Sequence, residues 1–285
     1  MPKDSITYQN SGYFNTLIND YLNQKKNLDS LYHRFPTIEN FAKQITEKQA
    51  SFNNSHRKVL VSVLENQYQH LSTSDVTKQN IISLSSSNTF TVTTGHQLNI
   101  FTGPLYFLYK IISTINLTKE LKVKYPEYNF VPIYWMATED HDFEEINYFT
   151  FKGKKFRWNK ETSGPVGRLS TEGLKDVFDV FSKEIGTSTN ANKIKKLFDE
   201  AYNKGYSLAE ATRFLVNELF GKYGLVILDG DSRDLKKEFS PYVQDELLHQ
   251  KSNKAVLNTI QQLKSYSIQV NPREINLFYM KDTLR

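Results

Sequence analysis

The pattern of hydrophobic positions divides the chain into a helical beginning and a sheet-forming remainder. Rows of hydrophobic side chains at helical spacing occur over 14–22, over 38–45 behind Pro36, and over 59–68. Such rows place the hydrophobic side chains on one face, and they predict three helices. The polar stretch 83–88 ends this part, so residues 1–88 are expected to form a helical N-terminal region.

Two strand-like runs with a helix between them come next. Residues 89–93 and 130–136 are rich in Thr, Val, Ile and aromatic residues, and 104–124 has helical spacing. A strand, a crossover helix and a second strand form a parallel unit, so both strands end at the same edge of the sheet. Open α/β sheets bind ligands at that edge. Residues 89–146 are therefore predicted to form the first half of an α/β core.

The rest of the pattern predicts an insertion and then a return to the sheet. Short strands are indicated at 148–151 and 155–158, and helices at 174–185, 191–203 and 207–220. We expect 147–222 to be an α+β insertion. Strand patterns at 225–228 and 275–280 assign 223–285 to the continuation of the core. The chain stops without a closing helix, and we expect it to be part of a larger protein.

Composition narrows the class of protein. The 285 residues include no cysteine, which excludes disulfides, zinc–thiolate sites and a cysteine nucleophile from this chain and fits a reducing cytoplasm. The first residues carry no hydrophobic signal segment, and no run reaches the length of a membrane span. The formal net charge is +5, but basic residues are mixed with acidic ones, so a mildly basic surface is expected rather than a nucleic-acid site.

The first predicted strand is followed by Gly95, His96 and Gln97. A glycine here would let the backbone turn and approach a ligand closely. A histidine can donate to phosphate oxygens or transfer protons near neutral pH. The sequence fits neither the P-loop nor the dinucleotide-binding glycine motif, and an ordinary turn is the alternative interpretation.

The helix after this cluster is expected to start at Pro104, with Thr102 or Gly103 as its cap. Its first residues are hydrophobic nearly all round, which predicts a buried start. Lys110 lies among them and could face a phosphate group, although a lysine that extends to solvent is the plainer interpretation.

A second cluster, Glu139, Asp140, His141 and Asp142, directly follows the hydrophobic strand 130–136. Carboxylates beside a histidine could bind Mg²⁺, orient an amino group or act as an acid–base pair. The alternative is a solvated helix start, because acidic residues are favoured in a first turn. No recognised spacing of metal ligands is present.

Asp229 ends the third strand, where it could bind a ribose hydroxyl or an ammonium group or simply form an Asp-Gly turn. Arg273 either contributes to binding or pairs with its neighbour Glu274. Since parallel strands end together, we predict that His96, Asp140 or His141, and Asp229 line one concave pocket.

Three segments resemble one known family. They are TGHQLNIFTGPLY at 94–106, PIYWMATEDHDF at 132–143 and PREINLFY at 272–279. They are similar to segments of the bacterial bacillithiol-biosynthesis cysteine-adding enzymes, and the resemblance spans essentially the whole chain. It implies an α/β fold with a Rossmann-like parallel sheet core like that of class I aminoacyl-tRNA synthetases, with 147–222 as a connecting-peptide-like insertion. The synthetase His-Ile-Gly-His signature is absent, and only Gly95, His96 and Gln97 occupy its place.

The resemblance also implies an activity. Enzymes of this family are cytoplasmic ligases that add cysteine to glucosaminyl-malate in the last step of bacillithiol biosynthesis. ATP or another adenine nucleotide is the expected cosubstrate, and no bound metal is predicted. Family members are longer, so this chain resembles the N-terminal half. The second part of the nucleotide-binding core and a C-terminal coiled coil that forms a homodimer would lie outside it.

These inferences assign roles to the candidate residues. His96, Asp140 and His141 are predicted to be catalytic, with small-molecule substrates and no membrane or nucleic acid as partner. Substrate or nucleotide binding is predicted for Gly95, Gln97, Thr102, Gly103, Glu139, Asp142, Asp229 and Arg273. Two alternatives are a nucleotide- or tRNA-binding module without catalysis and a metal-dependent hydrolase built on the acidic cluster.

Overall fold

The computed structural model of the protein describes residues 4–279. Within these, the chain forms two compact units. The helical unit comprises 4–44 and 239–278, and the sheet unit comprises 45–238 with residue 279. Residues 1–88, assigned above to one helical region, are thus shared between the two units. The segmentation at 88, 146 and 222 follows the order of the elements along the chain, and as a division into domains it stays a prediction.

Twelve α-helices and five strands are present in the described residues. The helices are α1 Tyr8–Ser11, α2 Thr16–Leu22, α3 Asn40–Ser51, α4 Asn54–Tyr68, α5 Asp75–Ser83, α6 Tyr106–Lys124, α7 Phe143–Ile146, α8 Leu174–Glu184, α9 Thr189–Tyr202, α10 Leu208–Phe220, α11 Arg233–His249 and α12 Lys251–Gln262. The strands are β1 Thr89–His96, β2 Asn129–Met136, β3 Tyr148–Phe151, β4 Lys154–Arg157 and β5 Val226–Asp229. Single 3₁₀ turns occur at Ile100–Thr102, Val166–Arg168 and Gly221–Tyr223, and a longer one at Lys26–Leu31.

β1, β2 and β5 form one parallel sheet with β2 in the centre. The register places His96 beside Met136, and Met136 beside Asp229, so the three strands end level. α6 connects β1 to β2, which confirms the predicted parallel unit and the α/β class. β2 is buried from Val131 to Tyr134, as expected for a central strand covered on both faces.

The outer edge of β5 is covered by side chains of α4. Tyr68 Oη accepts the Ile227 N–H at 2.7 Å. The Gln67 amide accepts the Asp229 N–H at 3.0 Å and donates to the Asp229 carbonyl at 2.9 Å. Two neighbouring residues of one helix therefore satisfy the backbone groups at the end of this strand.

The insertion after β2 has the predicted elements. β3 and β4 form an antiparallel hairpin, and α8, α9 and α10 lie within two residues of the helices that the spacing predicted. Phe101, from the loop after β1, is buried against aromatic rings of this insertion. Its ring partners are Phe149, Phe181, Phe198 and Tyr202. The insertion and the sheet therefore share one hydrophobic core.

The burial of one predicted helix and the presence of one predicted strand differ in the structure. The first turns of α6 are not buried all round, since Leu105, Tyr106 and Tyr109 are each more than half exposed. Only the Phe107 and Ile111 row packs inward, because the helix lies over one face of the sheet. The strand expected at 275–280 is also absent, because residues 275–279 have no regular structure and residue 280 lies outside the described residues.

Within the described residues, the helical unit fully buries three side chains, two of which are carboxylates. Asp20 is buried and forms an ion pair with Lys25 at 2.8 Å, and it accepts from Tyr266 Oη at 2.8 Å. Buried Glu246 accepts the backbone N–H of Ser252 at 2.9 Å. Leu28 is the one buried hydrophobic residue among the described residues of this unit. No helix within 4–279 has both the length and the hydrophobicity to cross a membrane.

Candidate functional site

The carboxyl edge of the three-stranded sheet gathers most of the candidate residues. β1 ends at His96, β2 is followed by 137–142, and β5 ends at Asp229. Because the strands are parallel and level, all three polar segments emerge on the same side of the sheet. This part of the prediction is confirmed. The roles assigned to the individual residues remain predictions.

The Gln97 side chain links the first two segments. Its Nε2 donates to Asp140 Oδ2 at 2.9 Å and to Glu145 Oε2 at 2.6 Å. Asn99 supports the same arrangement by donating to the Glu145 carbonyl at 3.2 Å. One amide group thus holds two carboxylates at the end of β2. We call Gln97, Asp140 and Glu145 the Gln97 cluster.

Asp140 also organises its own loop. Its Oδ1 accepts the backbone N–H groups of His141 at 2.7 Å and Asp142 at 3.1 Å. Burial would raise the pKa of this carboxyl, but the hydrogen bonds from Gln97 and from these two amides outweigh it and lower the pKa below its ordinary value. Asp140 is therefore an ionised acceptor at neutral pH. His141 Nδ1 lies 3.7 Å from Asp140 Oδ1.

The alternative interpretation of this acidic segment was a helix start. The backbone does begin a short helix here, with Asp142 as the N-cap residue of α7. Asp142 forms no side-chain capping hydrogen bond, however, and Glu139 pairs with Lys236 Nζ at 2.9 Å. Capping therefore does not account for the carboxylates of this segment.

His96 is buried at the end of β1. Its ring packs against Tyr106 and Phe107, with ring centroids 5.2 Å apart in both cases. Nδ1 lies 2.9 Å from the Gln97 carbonyl, which assigns the proton to Nδ1 and leaves Nε2 as an acceptor. Burial lowers the pKa of this imidazole. His96 is consequently neutral at pH 7, with Nε2 able to accept a proton, and its assignment to phosphate binding or to proton transfer stays a prediction.

Gly95 has a different structural role from the one expected. It lies inside β1, and a Cβ built on it would make only an ordinary contact, 3.8 Å from the Trp135 carbonyl. The turn that we predicted at this residue is therefore wrong. Its carbonyl accepts a hydrogen bond from Lys110 Nζ, so Lys110 brings a positive charge to the end of β1.

The loop between β1 and α6 has an unusual backbone. Phe101, Thr102 and Gly103 all have positive φ, at 51°, 68° and 50°. A Cβ on Gly103 would lie 2.3 Å from Asn99 Cβ, so only glycine fits. α6 starts at Tyr106, with Leu105 as its N-cap residue and no capping side chain. The predicted cap at Thr102 or Gly103 is thus wrong, and Thr102 lines a hydrophobic cavity beside α6 instead of the polar edge.

The end of β5 opens into a polar cavity of about 570 Å³, which we call the Asp229 cavity. Asp229 Oδ1 accepts the Thr138 hydroxyl at 2.5 Å and the Asp231 N–H at 2.9 Å. Its Oδ2 lies 3.3 Å from Arg213 Nη2. The lining residues are Val63, Asn66, Gln67, Thr138, Gly167, Arg168, Ser207, Ala209, Glu210, Arg213, Asp229, Asp231, Ser232 and Asp234.

A chain of ion pairs borders the Asp229 cavity. Arg168 binds Asp231 through two parallel hydrogen bonds, at 2.7 Å and 2.9 Å. Lys236 contacts Asp231 at 2.5 Å and Glu139 at 2.9 Å. Burial opposes ionisation of Asp231, but the hydrogen bonds from Arg168 and Lys236 prevail, and the pKa of Asp231 is lowered. Each of these carboxylates therefore has a cationic partner, and we call this row of ion pairs the wall of the Asp229 cavity.

Arg168 reaches the wall because its turn is tied to the loop after β2. The Gly167 N–H donates to the Thr138 carbonyl at 2.9 Å, and the Val166 N–H donates to the Asp140 carbonyl at 2.7 Å. A Cβ on Gly167 would lie 2.6 Å from Thr138 Cβ, so this close approach requires glycine. The insertion thereby supplies a cation to the sheet edge.

Several polar residues of this edge were not predicted from the sequence. Contacts to predicted candidates are made by Gln67, Thr138, Glu145, Arg213 and Lys236, and Arg168 contacts Asp231 beside Asp229. Three of them come from α4, α10 and α11, where each reads as an ordinary polar residue of an amphipathic helix. Thr138 was the one with a local signal, since it lies in the polar segment directly after β2.

The prediction of a single pocket shared by the candidate residues is not borne out. Asp229 lines the cavity, but His96, Asp140 and His141 are not among its lining residues. The physical reason is that β2 is the central strand, so the loop after it, at Thr138, separates the end of β1 from the end of β5. Arg273 belongs to the helical unit, where its guanidinium lies 5.2 Å from the centre of the Phe278 ring and Glu274 accepts from Gln250 at 3.1 Å.

Metal ligands were considered among the same residues. Over residues 4–279, no group of three or more His, Asp or Glu side chains is arranged to hold a metal ion. The acidic residues after β2 are directed to different partners, with Asp140 toward Gln97 and Glu139 toward Lys236. Each of these two carboxylates therefore has its own hydrogen-bond or ion-pair partner within the protein.

Comparison with known proteins gives a consistent result. The family model described as "Bacillithiol biosynthesis BshC, N-terminal Rossmann-like domain" matches residues 1–285. A protein of Flavobacterium johnsoniae is 67% identical over 285 residues, which is 100% of this chain and 54% of the relative. A protein of Flavobacterium psychrophilum is 64% identical over 286 residues, again 100% of this chain and 54% of the relative.

A more distant relative, from Staphylococcus saprophyticus, is 28% identical over 282 residues, which is 93% of this chain and 52% of the relative. All three relatives bear the name "Putative cysteine ligase BshC". The chain spans about half the length of the curated relatives it matches. The match over every residue and the parallel sheet agree, and the chain belongs to the family of BshC N-terminal Rossmann-like domains of bacillithiol biosynthesis.

Proposed function

We propose that this chain is the N-terminal part of a cytoplasmic ligase that joins the carboxyl group of cysteine to the amino group of glucosaminyl-malate. ATP or another adenine nucleotide is the proposed cosubstrate. Family membership and the names of the relatives support the ligase class. The observation that best supports an active site here is the Gln97 cluster, where one amide group binds two carboxylates at the carboxyl end of a parallel sheet.

Amide formation poses two chemical problems that this edge could address. The cysteine carboxylate has to be activated, and the amine has to lose a proton before or during attack. In the proposed step the amine nitrogen forms a bond to the activated carbonyl carbon. The bond from that carbon to the phosphate-bearing leaving group breaks. The proton from nitrogen passes to Asp140 or His141, which lie at the end of β2.

Asp140 suits the role of ammonium ligand and proton acceptor because it is ionised and held in place. Its lowered pKa makes it a weak base, so it serves better to orient the ammonium, and His141, whose Nδ1 lies 3.7 Å from Asp140 Oδ1, is the proposed acceptor of the proton. The neutral His96 ring, with Nε2 as acceptor, is a third candidate for the proton. These assignments refine the catalytic trio predicted from the sequence.

The chemical groups of the substrates suggest which of them would bind at the end of β1 and which in the Asp229 cavity. Lys110 supplies a cation at the end of β1, where a carboxylate or phosphate group would be stabilised. The Asp229 cavity offers hydroxyl, amide and carboxylate groups suited to a polyhydroxylated substrate. We propose that the nucleotide and cysteine carboxylate occupy the β1 end and that the sugar lies toward Asp229.

The test is a mass-spectrometric assay of the full-length protein with ATP, cysteine and glucosaminyl-malate. The proposal predicts an amide product together with AMP or ADP, and at least a hundredfold loss of product formation in Asp140→Asn. Asp179→Asn is the matched control, because Asp179 is an exposed aspartate of α8 that contacts only Lys175 among the ion pairs described. Full activity in Asp140→Asn would contradict the assignment of Asp140.

The same assay separates the alternatives. Tight RNA binding without turnover would indicate a binding module, and hydrolysis that EDTA abolishes would indicate a metal-dependent hydrolase. Neither is favoured. Arg168, Arg213 and Lys236 at the sheet edge are engaged with aspartates, and within 4–279 the acidic residues do not converge on one metal position.

A further inference from the structure

The helical unit exposes several large hydrophobic side chains. Ile268 and Val270 are 63% and 60% exposed. They lie against α12, where they line a groove of about 220 Å³ with Val256, Ile260 and Leu263. We call this the α12 groove. Further along the same unit, Phe239, Tyr242 and Leu247 of α11 are each more than half exposed.

The two units differ sharply in what they bury. Within the described residues, every buried hydrophobic side chain except Leu28 belongs to the sheet unit. In the helical unit, Tyr21, Tyr32 and Phe35 contact one another but are only partly buried, and several other hydrophobic side chains are more than half exposed. A small helical assembly with so few fully buried hydrophobic side chains has little to offset the entropy of folding. Its hydrophobic groove is therefore the kind of surface that another element covers.

We propose that the α12 groove is the docking surface for the polypeptide that follows this chain in the full-length protein. The matched family domain is described as N-terminal, and this chain covers 54% of the Flavobacterium johnsoniae relative. The relatives therefore contain almost as many residues again. This proposal concerns a surface in the other unit and stands or falls separately from the ligase reaction.

Chain order favours this occupant over a separate molecule. The groove is built from 255–270, near the C-terminal side of the matched domain. A segment of the same polypeptide is present at a high effective concentration, so it needs less intrinsic affinity than a second copy. The lining side chains are aliphatic, which suits a hydrophobic helix or strand more than a charged ligand.

Thiol labelling can test the proposal, because this chain has no cysteine of its own. Val270→Cys places a thiol in the groove, and Val180→Cys places one on α8 in the sheet unit. The two valines are matched in type and nearly matched in exposure, at 60% and 55%. Both variants are made in the full-length protein and reacted with a maleimide, and each labelled site is read by peptide mass spectrometry. Rates are normalised to those of the protein unfolded in guanidinium chloride.

We expect Cys labelling at position 270 to be at least about tenfold slower than at 180 in the full-length protein, at every protein concentration tested. The isolated 285-residue chain should label equally fast at both positions. Equal rates in the full-length protein would overturn the proposal. Protection that weakens on dilution would assign the groove to a second copy and would overturn it as well.

Discussion

Two parts of the sheet edge, at the end of β5 and at the end of β2, hold carboxylates by different means. At the β5 end, Asp229 and Asp231 are held by arginine and lysine side chains, and the charges are compensated. At the β2 end, Asp140 is held by the Gln97 amide and by backbone N–H groups. Amide donors fix a carboxylate without neutralising it.

The difference separates two roles. A network of paired charges contributes to the stability of the fold, because removing one partner leaves the other charged group buried and unpaired. A carboxylate held by neutral donors keeps its negative charge for a ligand. We therefore expect changes at the β5 end to affect folding most, and changes at the Gln97 cluster to affect the chemistry of the site more than its stability.

The largest effect should come from Asp229→Ala. This substitution removes the acceptor for Thr138 and for the Asp231 N–H and leaves Arg213, whose side chain is 13% exposed, without its carboxylate. The free energy of unfolding should fall by about 3 kcal/mol, measured by urea denaturation. Asp234→Ala, at an exposed position, should cost no more than about 0.5 kcal/mol. Equal losses of unfolding free energy in the two variants would contradict the distinction between the ion-paired end of β5 and the exposed surface.

Gln97→Ala should have a smaller effect on stability and a larger one on titration. The free energy of unfolding should fall by about 1 kcal/mol, the cost of a typical hydrogen bond. Because the Gln97 amide helps to lower the pKa of Asp140, that pKa should rise in the variant. Carbon-detected NMR titration of the Asp140 carboxyl measures the shift. An unchanged pKa would mean that the backbone amides alone hold the carboxylate.

The smallest effect concerns His96. Burial lowers the pKa of its folded-state imidazole below the unfolded value of about 6.5, so the unfolded chain binds the proton more readily. The resulting stability is present above pH 6.5 and is lost as the pH falls through the lowered pKa. His96→Phe, which keeps a ring against Tyr106 and Phe107, should flatten the pH dependence of unfolding between pH 5 and 7, since that window brackets the ordinary histidine pKa of about 6.5. An unaltered slope would contradict a buried neutral imidazole.

The sheet edge was predictable from sequence where the signal is local. Runs such as 130–136 identify strands, parallel connection follows from a single crossover helix, and polar residues after each strand then meet at one edge. The third strand was found in the same way from 225–228. The three segments at 94–106, 132–143 and 272–279 identified the family, because long matched strings carry far more information than single residues.

What could not be predicted depends on tertiary packing. Gln67, Arg168 and Arg213 are separated by up to 146 residues along the chain, and nothing local marks them as neighbours of Asp229. The start of α6 was misplaced because Phe101, Thr102 and Gly103 adopt a positive φ that only the packing of Phe101 among aromatic rings explains. The strand at 275–280 failed because a hydrophobic run forms a strand only where a partner is available to pair with it.

The covered edge of β5 has a consequence for how this sheet can grow. Tyr68 occupies the Ile227 N–H, and Gln67 occupies the N–H and the carbonyl of Asp229, as the peptide groups of a fourth strand would. That side is therefore closed both to strand addition and to edge-to-edge association with another molecule. Any strand that the remainder of the polypeptide contributes to this sheet has to pair with β1, so the sheet can be extended in one direction only.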